Sequence, residues 1–167
     1  MMAIQIDVGP RSMSLGTPSR RENPMQDPGS NQMLAVIPLP ERDRIRACAE
    51  EVTLLEGQVL GEAGMPMRHA YFPIEGCTVL ITAGDRMASL GVGLIGNESM
   101  CGSSLLLGTT DSPLRMQVQG PGNALRISAE MFQSVLVQTP RLERKLRLLC
   151  HLLQVQCAQT ASCAAFH

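Results

Sequence analysis

The 167-residue sequence has no tryptophan, one tyrosine (Tyr71) and three phenylalanines (Phe72, Phe132, Phe166). So few rings exclude a single-strand nucleic-acid platform built on stacked aromatics. Neither sign of charge dominates: 14 Lys and Arg face 15 Asp and Glu. A chain-wide basic surface for nucleic acid is therefore excluded, and only a local patch stays open. The N-terminal region lacks the apolar run of roughly 7–15 residues that a secretory signal needs. No stretch reads as a membrane-spanning helix. The nearest, 148–167, carries no Asp, Glu, Lys or Arg, but it holds His151, Gln154, Gln156, Gln159, Thr160 and Ser162. Hydrocarbon penalises those groups, so the stretch is expected to be buried against protein, with no membrane partner. The six cysteines (Cys48, Cys77, Cys101, Cys150, Cys157, Cys163) show no Cys-x-x-Cys spacing. Without a secretory signal, the expectation is reduced thiols and a cytoplasmic location.

What is present suffices for one ordinary domain with a tail: 44% of residues are hydrophobic and 17% charged. Residues 1–30 are punctuated by Pro10, Pro18, Pro24 and Pro28 and by Gly9, Gly16 and Gly29, and show no periodic apolar face. That pattern predicts a disordered tail. Asn31 to Leu34 opens a short helical turn that Pro38 interrupts. Leu39 to Ala49 follows as a second helix, with Pro40 in its first turn and Leu39, Ile45 and Cys48 on one face.

From Glu51 to Ile127 short apolar runs alternate with glycine. Residues 52–55, 59–60, 70–74, 77–83, 87–95, 114–119 and 124–127 read as strands, joined near Gly57, Gly64, Gly76, Gly84, Gly96 and Gly120/Gly122. Many short strands at this spacing predict an antiparallel barrel or sandwich. Helix returns after Ile127. Ser128 caps Ala129–Val137, and Thr139-Pro140 makes a cap and first-turn pair for a long helix from Arg141 to about Ala165. The domain organisation is thus a tail at 1–30, a helix-flanked roll at 31–138 and a long helix at 139–167. Leu142, Leu146, Leu149, Leu153 and Cys157 trace a helical seam, with Leu148, Leu152 and Val155 alongside. Charge sits only in the first two turns, as Arg141, Glu143, Arg144, Lys145 and Arg147. A helix that loses its charged face packs on more than one side, against a second subunit or against its own roll. The seam predicts a homodimer.

Some of these residues resemble a known family. Glu56-Gly57, then Gly64, then Tyr71-Phe72 before Gly76 and the apolar Cys77-Thr-Val-Leu80, resembles the opening of a cyclic-nucleotide-binding-type β-roll. Gly102-Ser-Ser-Leu-Leu-Leu-Gly108 and Pro113-Leu-Arg-Met-Gln-Val-Gln119 look like that family's phosphate-binding cassette. With short helices before the roll and a long one after, residues 31–167 are similar to the sensor half of Crp/Fnr-type bacterial transcription regulators. The resemblance implies an α+β fold: a jelly-roll-like antiparallel β-roll, short N-terminal helices and a C-terminal dimerisation helix. It also implies transcription regulation. Relatives continue into a winged helix-turn-helix; this sequence stops in helix at His167, so DNA is expected to be reached only indirectly.

The cassette departs from the family pattern. Where nucleotide binders pair a glutamate with the ribose hydroxyl, this chain has Ser103, and the phosphate-binding arginine position falls on Leu114. Strand alternation puts Leu114, Met116 and Val118 on the interior face and Arg115 outside. A buried phosphate without a cation is expensive. Gly102, Ser103, Ser104, Leu114 and Met116 therefore outline a degenerate ligand pocket, its effector unknown, in which tight cyclic AMP or cyclic GMP binding is not expected. The alternatives are cyclic-nucleotide binding through backbone donors, and a truncated partner that blocks a full-length regulator.

Other chemistry is poorly supported. His69, His151 and His167 lack zinc-ligand spacing, and residues 1–47 hold no cysteine for an iron–sulfur cluster. Haem ligation by Cys77 or His69 is conceivable, but a lone cysteine is more often a small buried hydrophobe. Cys150 and Cys157 share a helix face, with Cys163 nearby; small residues filling a seam explain them more simply than a redox switch. Ser103 and Ser104 near Asp111 have no Gly-x-Ser-x-Gly elbow or positioned base. The sequence predicts no enzyme, no metal and no resident cofactor.

Overall fold

The computed structural model describes residues 30–74, 78–85 and 88–166. Of the predicted tail, residues 1–30, all but Ser30 lie outside these, as does Cys77. Among the described residues the order is α1 (Gln32–Ala35), α2 (Leu39–Cys48), β1 (Glu50–Leu54), β2 (Val59–Gly61), β3 (His69–Pro73), β4 (Thr78–Asp85), β5 (Ala88–Ile95), α3 (Ser103–Leu106), β6 (Arg115–Gly120), β7 (Gly122–Ser128), α4 (Ala129–Leu136) and α5 (Pro140–Phe166). Each predicted strand falls on an observed one, with ends shifted by one or two residues.

The strands form two antiparallel sheets, ordered β1-β7-β3 and β2-β6-β4-β5. Side-chain alternation decides what each buries. Along β6, Met116 and Val118 turn into the core while Gln117 and Gln119 turn out. In β3, Ala70, Tyr71 and Phe72 are all buried, because the strand's free edge is closed by Tyr71 and Cys101, which exchange backbone hydrogen bonds of 3.1 and 2.8 Å. One core runs through both sheets, all five helices supply or abut it, and Phe72 meets Phe132 of α4 at its centre, ring centroids 6.1 Å apart. Leu142 and Leu146 of α5 belong to the same core, so residue 139 marks an element boundary and not a break in packing.

The helix termini follow local chemistry at two of three sites. Asn31 accepts from the Leu34 N–H, and its amide donates to Pro73 O and Ser99 O at 2.8 Å, tying α1 to the roll. Ser128 accepts from the Met131 N–H as expected. Thr139 does not cap α5. Its hydroxyl donates back to Val135 O of α4 at 3.0 Å. The acceptor at the start of α5 is Glu41 of α2, whose Oε2 takes the Leu142 N–H at 3.1 Å. Glu41 is 9% exposed, whereas Leu39, expected on the buried face, is 61% exposed. Pro38 and Pro40 set the direction in which α2 leaves the turn, and the face that results buries Ile45 and Glu41.

Candidate functional site

The site is a cavity of about 460 Å³ between the four-stranded sheet, the α3 cassette and the middle of α5. The cassette begins at Gly102, whose φ of +95° is left-handed backbone that favours glycine. A Cβ there would also lie 3.2 Å from His69 O, so the position is doubly constrained. This sharp entry aims the four-residue α3 at the cavity. Ser112, whose hydroxyl donates to Leu114 O at 2.6 Å, fixes the approach to β6 on the other side.

All five sequence-predicted pocket residues, Gly102, Ser103, Ser104, Leu114 and Met116, line this one cavity. The two serines differ in role. Ser103 is half-buried, and both it and Cys150 of α5 line the space. Ser104 is buried, and its Oγ lies out of reach of solvent with no hydrogen-bond partner. Its backbone carbonyl is occupied, accepting from Thr109 and Leu107.

The predicted dimer seam is not a free face. Leu142 and Leu146 are fully buried within their own chain, Leu149 is half-buried against the core, and Leu153 and Cys157 line the cavity. The reason is geometric: α5 lies along β5, so closely that a Cβ added at Gly93 would sit 3.6 Å from Cys157 Sγ. The apolar stripe left open is the set alongside, Leu148, Leu152 and Val155, the first two 61% and 55% exposed. The uncharged end of α5 is consequently buried on one side only. Cys150 and Gln154 also line the cavity, and sequence reasoning did not assign them to it. Their spacing from Leu153 and Cys157, all within one helical face, was the available signal.

Among the described residues, no lysine, arginine or histidine lines the space. Arg115 is turned away, its Nη1 3.8 Å from Glu62 Oε1 on the outer face. Leu114 takes the inner position. The one acidic lining group, Asp111, is exposed and accepts from the Thr110 hydroxyl at 3.2 Å. The walls are otherwise Ile81, Ile95, Leu107, Leu114, Met116 and Leu153. Burial pushes the Cys150 and Cys157 thiols up, outweighing the Ser103 hydrogen bond and the Arg147 charge at Cys150, so both present neutral S–H groups.

No protein-family model matches the sequence, and no characterised protein is found as its relative. Solved structures do match. The c-di-GMP-responsive global regulator CLP of Xanthomonas campestris superposes with a TM-score of 0.64 at 20% identity, over 77% of this chain and 65% of that one. The chain thus spans about two-thirds of CLP. The catabolite activator protein of Thermus thermophilus gives 0.62 at 13% identity, over 80% and 63%. The N-terminal domain of a transcriptional regulator from Streptomyces coelicolor gives 0.55 at 19%, over 76% and 90%. The chain has the cyclic-nucleotide-binding-domain fold. In that fold's terms, the cavity lies between the cassette and the long helix, and the cassette is the segment Gly102–Gly108 with the approach to β6. The cassette of this domain brings hydroxyls and a leucine to the cavity and no cation.

Proposed function

We propose that the chain is the ligand-sensing and dimerisation module of a Crp/Fnr-type transcription regulator, working in the cytoplasm with reduced thiols, without tight cyclic AMP binding and without enzymatic activity. The observation that carries this reading is the cavity walled jointly by the roll and α5. Anything that enters touches Cys150, Leu153, Gln154 and Cys157, and so bears directly on the helix. The five described cysteines are free, in keeping with a reducing compartment. None of the described helices is long and apolar enough to cross a membrane.

Dimerisation in this reading uses the stripe Leu148, Leu152 and Val155, since the neighbouring face is spent on the roll. Occupancy of the cavity then changes how α5 presents that stripe to a second copy. Two measurements test the proposal. Light scattering should find a dimer at micromolar concentration, and Leu148→Asp with Leu152→Asp should yield a folded monomer. Filling the cavity with Leu153→Trp should change hydrogen exchange in residues 148–157 of a folded protein. A wild-type monomer at high micromolar concentration overturns the dimer. Unchanged exchange in α5 overturns the coupling of cavity to helix.

A further inference from the structure

The cavity is large enough for a cyclic nucleotide, so size does not select its ligand; charge does. Three observations agree. Among the described residues the lining has no cation, and the adjacent Arg115 lies outside it, its Nη1 3.8 Å from Glu62 Oε1. Arg147, whose charge reaches Cys150, is held by Glu143 at 2.7 Å. The one charged lining residue, Asp111, is negative and sits where solvent reaches it. An anion inside would lose its hydration and gain no counter-charge, and Asp111 would repel it. A cation has only that exposed carboxylate at the rim, while the interior is aliphatic, sulfur and hydroxyl. The neutral hydrogen-bonding side chains of the lining are Ser103, Ser104, Thr109, Ser112 and Gln154, and the hydroxyls of Thr109 and Ser112 already donate to the backbone carbonyls of Ser104 and Leu114. Concave sites with apolar walls and a small number of polar groups bind ligands by burial and orient them by those groups.

Resting on the sensor reading above, we propose that the effector is an uncharged, largely apolar small molecule bearing one or two hydrogen-bonding groups, and that the cyclic phosphodiester is excluded. Leu114 is the specificity-determining residue. It removes the counter-charge and replaces it with apolar wall. Gln154 of α5 and Ser103 of α3 are the groups that orient the ligand's polar end.

A matched pair of fluorescent probes tests this on the whole chain: uncharged N-phenyl-1-naphthylamine, and 8-anilino-1-naphthalenesulfonate, the same ring system with a fixed negative charge. The neutral probe should bind one per chain at micromolar concentration and the sulfonate at least tenfold more weakly. Leu153→Trp should abolish neutral-probe binding, while Leu55→Asp, at an exposed apolar residue outside both the cavity lining and the dimer stripe, should leave it unchanged. Leu114→Arg should reverse the preference in favour of the sulfonate. Equal binding of the two probes, binding that survives Leu153→Trp or is lost in Leu55→Asp, or micromolar cyclic AMP or cyclic GMP affinity by calorimetry overturns the proposal. The sensor reading fails separately. If a cyclic nucleotide binds and alters exchange in α5, the ligand class is wrong and the sensor stands. If no probe binds and Leu153→Trp leaves α5 exchange unchanged, both are wrong.

Discussion

Removing the Glu41 carboxylate should loosen α5 at its root. The perturbation is Glu41→Ala, and its magnitude follows from two contributions. The Leu142 N–H, on a residue with no exposed surface, loses the oxygen at 3.1 Å that satisfies it. A buried donor left unpaired costs about 1–3 kcal/mol. The carboxylate also offsets the partial positive charge of the helix N-terminus, a favourable contact of about 0.3–1 kcal/mol. This matters more than usual here, because Arg141, Arg144, Lys145 and Arg147 crowd the first two turns against the single acid Glu143. Such cations are unfavourable at that end, and Glu41 supplies the compensation from another helix. The expected loss is about 2–3 kcal/mol, a large share of a domain stability of about 5–15 kcal/mol. Glu41→Gln keeps an acceptor and should lose only about 1 kcal/mol. Urea unfolding followed by circular dichroism measures both, with the midpoint falling and the slope unchanged. An alanine variant within about 0.5 kcal/mol of the wild type, or a glutamine variant as destabilised as the alanine, would refute the capping role.

Three further outcomes are expected. Iodoacetamide should modify exposed Cys163 well before half-buried Cys150 and Cys157, as mass spectrometry of the labelled chain will show, and an occupant of the cavity should slow the latter two further. The thiols also set an alkaline dependence. Because burial raises the Cys150 and Cys157 values above those of the unfolded chain, their contribution to stability is intact below the unfolded thiol pKa and is lost as pH rises from there through the folded values; thermal melts above about pH 8.5 should fall less in a Cys150→Ser, Cys157→Ser variant. Gly102→Ala should destabilise by about 1–3 kcal/mol, because it forces a side chain into left-handed backbone facing His69 O; an unchanged denaturation midpoint would show that the cassette entry relaxes freely.

Much of this architecture is legible in the sequence, and the reasons are local. Glycine between short apolar runs separates strands whatever the topology, so the strands were found although their pairing was not. Alternation along 114–118 sufficed to put Leu114 inside and Arg115 outside, since neighbouring side chains on a strand cannot share a face. Ser128 caps through its own chain neighbours and was equally legible. The misreadings involve contacts between elements and not the local pattern within one. Glu41 and Leu142 are 101 residues apart, and no local pattern announces that pairing. Thr139 has a good capping side chain, but α4 ends close enough to take its hydroxyl first. Helical spacing identified two apolar lines on α5 without saying which one the roll would cover. The line through Leu142, Leu146 and Leu149 met β5 and the core; the line through Leu148 and Leu152 was left outside.

The attachment of α5 has a mechanical corollary. The helix is gripped near its start, by Glu41 at Leu142 and by the core around Leu146, while its far half rests on the roll along one edge only. Leu146 is a fulcrum in such an arrangement. Leu153, where an occupant of the cavity presses, lies about 10 Å from it, and Phe166 about 30 Å, at the rise per residue of an α-helix. A tilt that moves Leu153 by about 1 Å swings the tip by about 3 Å, so a small molecule seated beside the roll is felt most strongly at the end of the rod farthest from it.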